Sequence, residues 1–211
     1  MKLTVQERCC RTDHGEIRIA SFCTPDQIRG FSFHGGFGDY AKYRSIYTRK
    51  ETLEEFASHD GANVVVALAP GDMIVGFGVL DFSGPEDRWY ALGDGRTMME
   101  MRALEVCREM RGAGLAPAIL ACILDYPGIE QKIVYLVGYS WTWDLEETSQ
   151  TVHQYRAKLM KLYTAFGFKE YQTNDFNICL KPENFFLARV GERVSRQLRE
   201  AFKWICFGQK P

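Results

Sequence analysis

The apolar positions of this chain change period several times, and each change marks an element. Lys2–Cys9 and Glu16–Phe22 read as two antiparallel strands joined at Asp13-His14-Gly15, a tripeptide suited to a hairpin. Thr24-Pro25-Asp26 starts a helix, with Thr24 as cap and Pro25 in the first position. Phe31 to Tyr40 is rich in glycine and aromatics, and helical spacing resumes over Lys50–Ser58 with Leu53 and Phe56 on one face. Asn63–Ala69 and Met73–Phe82 carry many β formers around a Pro70-Gly71-Asp72 turn and predict two further strands.

Ser83–Gly95 is a polar loop bearing Trp89 and Tyr90. Beyond it come a central strand over Met98–Val106, a helix over 114–125 and a strand over Lys132–Tyr139. Gln150–Phe166 has helical spacing, Phe168–Gln172 is a strand after the Gly167 turn, and Arg189 to Phe207 predicts a C-terminal helix. No repeat, low-complexity stretch or linker interrupts this order. It predicts one α/β (α+β) domain over 1–211, with N-terminal additions over about 1–60 and a helical extension over about 189–207.

Bulk properties narrow the class without naming a chemistry. The 211 residues are 46% apolar and 25% charged, as in an ordinary soluble globular protein. A formal net charge of −1 gives no electrostatic reason to expect nucleic acid or an anionic membrane as partner. No apolar run approaches the ~20 residues of a membrane span. The first residues lack the unbroken apolar core of a secretory signal, so a cytoplasmic protein is expected. Seven cysteines without framework spacing predict reduced thiols. Cys9-Cys10-x-x-x-His14 has no second ligand pair close by, and no metal is expected.

One motif points to a ligand. Arg111-Gly112-Ala113-Gly114-Leu115-Ala116 follows the Met98–Val106 strand and opens an apolar helix. A glycine-rich turn there leaves backbone N–H groups pointing one way, at the positive end of a helix dipole, which suits phosphate. A Cβ would hold the phosphate off the backbone. A dinucleotide-binding fold would place its glycines after the first strand, and a Walker loop would need Gly-Lys-Ser/Thr; neither pattern is present.

The order R-G-x-G-x-A, followed some fifty residues later by Leu162-Tyr163-Thr164-Ala165-Phe166-Gly167-Phe168, resembles the GCN5-related N-acetyltransferase superfamily. Tyr139-Ser140-Trp141-Thr142-Trp143-Asp144-Leu145, the stretch Asn184–Ser195, Glu100–Val106 and Phe33-His34 are similar to its acetoin-utilisation branch, from about residue 14 to 196. Gly35-Gly36-Phe37-Gly38 and the last fifteen residues depart from that pattern. The resemblance implies a mixed, mostly antiparallel central sheet flanked by helices, and acetyl-CoA as co-substrate without a metal. It implies that Arg111, Gly112, Ala113, Gly114, Leu115 and Ala116 hold the pyrophosphate, while the backbone of Leu104 and Val106 pairs with the pantetheine arm. It also implies that the acceptor is a protein lysine, that of acetyl-CoA synthetase, which acetylation would switch off.

Acetyl transfer to an amine needs a base, a polarised thioester carbonyl and a proton for the leaving thiolate. Glu100, placed where histone-type members of the superfamily carry a catalytic glutamate, is the first candidate base; a carboxylate paired with Arg102 is the plainer reading. Glu105, on the opposite strand face, is the second candidate. Tyr163 would protonate the thiolate, or else pack beside Phe166. Trp141, Trp143 and Asp144 would line a lysine tunnel, with core packing as the ordinary role of tryptophans two apart. His153 and Tyr155 read as surface or packing residues, and His34 is given no catalytic role. A small-amine acetyltransferase acting on polyamine-like cations, and a silent CoA-binding sensor, remain open. Oligomeric state is not legible.

Overall fold

The hairpin closed by Asp13-His14 forms part of the first of two compact units in this computed structural model, which describes residues 4–37, 49–93, 95–146 and 148–209. Unit 1 holds the chain up to Asp81 together with Met101–Pro127, and unit 2 holds Phe82–Glu100 with the remainder from Gly128.

In unit 1, β1 (Gln6–Thr12) and β2 (Gly15–Ser21) pair antiparallel with Thr12 opposite Gly15. The two-residue loop is fastened by Thr12 Oγ1, which donates to the Gly15 carbonyl and accepts from the His14 N–H. Then α1 (Pro25–Gly30) opens with a reciprocal capping box: Thr24 accepts from the Gln27 N–H, and Gln27 reaches back to the Thr24 N–H. β3 (Ser32–Phe33) runs parallel to the start of β5, α2 covers Lys50–Ala57, and β4 (Asn63–Ala69) pairs antiparallel with both β2 and β5 (Met73–Phe82). Of the segment 24–60, residues 38–48 lie outside the described residues, and with them the end of the glycine-rich stretch after Phe31.

The strand β6 (Met98–Val106) gives its last six residues to unit 1 and leads through a short turn to α3 (Leu115–Leu124). The fully buried Ile119 and Ile123 of α3 lie directly on β5, where a side chain at Gly78 would overlap both. Burying each isoleucine contributes roughly 2 kcal/mol. At the far end of α3, the buried Asn63 amide accepts from the Phe22 N–H at 2.8 Å and donates to the Cys122 and Ile123 carbonyls at 3.4 and 3.5 Å.

Unit 2 begins with the first three residues of β6, which pair parallel with β7 (Ile133–Gly138), Glu100 lying opposite Tyr135. Next come α4 (Val152–Thr164), β8 (Lys169–Glu170), α5 (Phe176–Cys179), β9 (Phe185–Val190) and α6 (Arg196–Ile205). β9 pairs antiparallel with both β7 and β8, so the strand pairings of the two units are mostly antiparallel, with helices packed against them. The core stacks Trp89 on Phe186 at 4.8 Å, with Tyr135 and Phe202 completing it. No helix among the described residues is long and apolar enough to cross a membrane.

The strands at 63–69, 73–82 and 98–106 fall where the β formers predict them. The C-terminal helix is shorter than its periodicity suggests. Arg189 and Val190 end β9, the chain turns at Gly191, and Ser195 caps α6 by accepting from the Leu198 N–H. A clamp holds that turn: Glu130 pairs with Arg189 and accepts from the Glu192 N–H at 2.8 Å. The strand over 168–172 shrinks to Lys169–Glu170, which lie opposite Ala188 and Leu187 of β9, and the Tyr171 N–H just beyond still donates to the Phe186 carbonyl at 3.0 Å.

Candidate active site

The cofactor residues read from the sequence gather in unit 1. Arg111 Nε donates to the Val106 carbonyl at 3.2 Å, folding the loop back onto the strand it leaves. That carbonyl is therefore engaged by the loop itself. Gly112 and Gly114 have φ of 88° and 79°, and a Cβ on either would meet nothing within 4 Å. Positive φ explains why glycine stands at both places, and the open space is a cradle that a side chain would fill. Among the described residues, neither glycine N–H finds a backbone acceptor, and the first amides of α3 have no intrahelical partner. Donors so arranged at a helix N-terminus fit a pyrophosphate, and α3 has no acidic residue in its first turn to oppose one. Leu104 and Glu105 are half-buried, and Leu115 is buried beneath the loop.

The candidates for proton transfer and acceptor binding, Glu105 aside, sit in unit 2. Glu100 is half-buried and accepts from the Tyr135 hydroxyl at 3.4 Å, which in turn lies 3.3 Å from the buried Ser83 hydroxyl. Arg102 Nε lies 3.8 Å from Asp81, and its guanidinium covers Phe56. Tyr163 is buried in the last turn of α4, edge-on to Phe168. Its carbonyl accepts hydrogen bonds from the N–H groups of both Phe166 and Phe168, and Gly167 at φ 85° lets the chain turn back to make the second.

The two tryptophans part company. A helical turn at Ser140–Thr142 breaks the strand before them, so they do not share a strand face. Trp143 is buried against Tyr155 and Phe185, as a core residue. Trp141 is half-buried and stacked on Tyr139 at 4.8 Å, with Lys181 over its ring. Asp144 is half-buried. Burial, together with the charges of Asp175 and Glu100, pushes the Tyr139 hydroxyl up, so that residue joins the electrostatics around Glu100. His153 is exposed.

All seven cysteines are free thiols. Burial pushes Cys23 up to about 12 and both Cys107 and Cys206 up to about 11, so these act as apolar core groups. His34, Cys107 and Glu109 bring ligand-type atoms within 4.8 Å of one another in unit 1. Their lone pairs and protons are already placed: His34 Nδ1 accepts from the Gly36 N–H, and the Cys107 thiol bonds Glu109. Sequence reasoning missed this cluster, Tyr135 and Tyr139, since each depends on pairing between distant segments.

No family model matches the chain. It is 28% identical over 197 residues to the acetoin utilization protein AcuA of Bacillus licheniformis, covering 93% of this chain and 91% of that protein. The Bacillus subtilis protein of the same name is 27% identical over the same coverage. Among solved structures, the acetoin utilization protein of Exiguobacterium sibiricum shares the fold with a TM-score of 0.86, at 24% identity, over 98% of this chain and 96% of that one. Along most of its length the chain is therefore similar to acetoin utilization proteins, and it has the fold of one of them.

Proposed function

We propose that this chain is a cytoplasmic, acetyl-CoA-dependent N-acetyltransferase that modifies a protein lysine, that of acetyl-CoA synthetase, and so switches that enzyme off. The reading is carried by the likeness to acetoin utilization proteins along 93% of the chain. The glycine cradle ahead of α3 supports the coenzyme half of it. Acetylation removes a lysine's charge and its donor geometry, which a synthetase needs at its acyl-adenylate.

In this reading the amides from Gly112 to Ala116 hold the pyrophosphate, and the backbone of Leu104 and Val106 lies along the pantetheine. Glu100 takes the proton from the acceptor ammonium, with Glu105 as the second candidate. The freed amine attacks the thioester carbon, the C–S bond breaks, Tyr163 protonates the departing thiolate, and the second proton shed by the new amide nitrogen restores the Tyr163 hydroxyl. Trp141 and Asp144 face the acceptor, the carboxylate drawing in its ammonium. Trp143 supports them from the core by packing against Tyr155. Holding donor and acceptor together supplies several kcal/mol without a covalent intermediate.

The test is transfer of labelled acetyl from acetyl-CoA to purified acetyl-CoA synthetase, beside a panel of polyamines. Label on one synthetase lysine, with synthetase activity falling in step, is the expected result. Label confined to polyamines would overturn the protein-lysine assignment in favour of a small-amine acceptor.

A further inference from the structure

We propose that His34 is a coenzyme-binding residue whose Nε2–H donates to an oxygen of the acetyl-CoA pyrophosphate. The inference rests on the reading of the 111–116 loop as the pyrophosphate cradle, and adds to it a donor from a distant part of unit 1.

Three observations carry it. The first is location. The His34 N–H donates to the Ile74 carbonyl at 3.1 Å, and the Cys107 N–H donates to the neighbouring Val75 carbonyl at 2.9 Å. Consecutive residues of β5 thus pin His34 and the start of the glycine loop. The side chains meet as well: the ring lies 3.9 Å from Glu109, three residues before Gly112.

The second is the tautomer. The Gly36 N–H donates to His34 Nδ1 at 3.2 Å, so that nitrogen is an acceptor and the ring proton sits on Nε2. The 3.9 Å approach of Glu109 to Nδ1 is then a van der Waals neighbour and not a hydrogen bond. The ring is further fixed edge-on to Phe37, which packs on Phe33 and Phe77.

The third is the unused donor. Among the described residues no acceptor bonds Nε2–H, although the ring is only about a quarter exposed. Glu109 is tied down within the turn by its own backbone N–H and the Cys107 thiol, which hold that carboxylate below its usual range. A fixed N–H beside a loop of open amides suits a phosphate oxygen, whose charge strengthens the bond.

Calorimetric titration of the full chain tests this with coenzyme A, dephospho-coenzyme A and pantetheine as probes. His34→Ala is expected to weaken coenzyme A and dephospho-coenzyme A alike by about tenfold, since both carry the pyrophosphate, and to leave pantetheine unchanged. His34→Gln retains an amide donor and should lose less. Unaltered coenzyme A affinity in His34→Ala would overturn the inference, and so would a loss seen with coenzyme A but not with its dephospho form. Nitrogen-15 spectra of the wild-type imidazole supply a readout independent of any variant's folding: an Nε2–H tautomer shifted by coenzyme A is expected, and an Nδ1–H tautomer would overturn it. A wild-type chain that binds no coenzyme A would instead sink the cradle reading itself.

Discussion

His59 Nδ1 lies 2.8 Å from Oδ2 of Asp81, a carboxylate only 5% exposed at the end of β5. The same oxygen faces Arg102 at 3.8 Å, so one buried anion serves two side chains. Asp81→Asn removes that charge and leaves the half-buried guanidinium poorly matched. A loss of about 3 kcal/mol is expected in urea unfolding. His59→Ala should cost less than about 1 kcal/mol, because the imidazole side chain is 43% exposed. Equal losses would show that the histidine, rather than Arg102, is the partner that matters.

The Asn63 side chain links Phe22, just after β2, to the carbonyls of Cys122 and Ile123 in α3. Asn63→Ala leaves the Phe22 N–H buried without its acceptor. The expected cost is about 2–3 kcal/mol, read as a lower urea midpoint with unchanged slope.

Gly112→Glu places a side chain and a negative charge in the open cradle, at a φ of 88°. Coenzyme A affinity should be lost in calorimetry while the circular dichroism spectrum is kept, since no neighbour stands within 4 Å of the new Cβ. Retained affinity would remove the pyrophosphate assignment.

Glu100→Gln keeps the shape and the bond from Tyr135 but cannot accept a proton. Turnover should fall by about a hundredfold or more, with acetyl-CoA affinity nearly unaltered. Unchanged turnover would leave Glu105 as the carboxylate to test.

The Glu192 N–H and Arg189 hold the Glu130 carboxyl below the usual carboxylate range. Its contribution to stability is therefore complete above about pH 4.3, the value for a free glutamate, and is lost as the pH falls through the lower folded value. Thermal unfolding across that window should show a decline that Glu130→Gln flattens.

Elements announced by local chemistry were legible. Thr24 and Pro25 cap α1 as their side chains require, and β-branched runs ending in Pro70-Gly71-Asp72 give β4 and β5. β9 was not legible: Phe185, Phe186, Leu187 and Ala188 are all buried, so no alternation marks a strand, and Arg189 and Val190 then blend into the charged spacing of α6. The glycine loop after β6 and the Gly167 turn after Tyr163 are legible as local structure, because both are set by residues close in sequence. Glu100's partner Tyr135 is not, since β7 meets β6 only through a parallel crossover. For the same reason the Trp141–Trp143 spacing misled: the turn at Ser140–Thr142 separates residues that an unbroken strand would have put side by side.

The helix α4 is bolted at both ends, by the Thr151–Gln154 capping box and by the two amides that close on the Tyr163 carbonyl. Each residue turns a helix by about 100°, so one insertion or deletion between those bolts would swing Tyr163 off its buried face. Substitutions in this stretch can accumulate on its exposed sides with little effect. Its length cannot drift, and a homologue with a different count between the cap and Gly167 should no longer keep a tyrosine at this place.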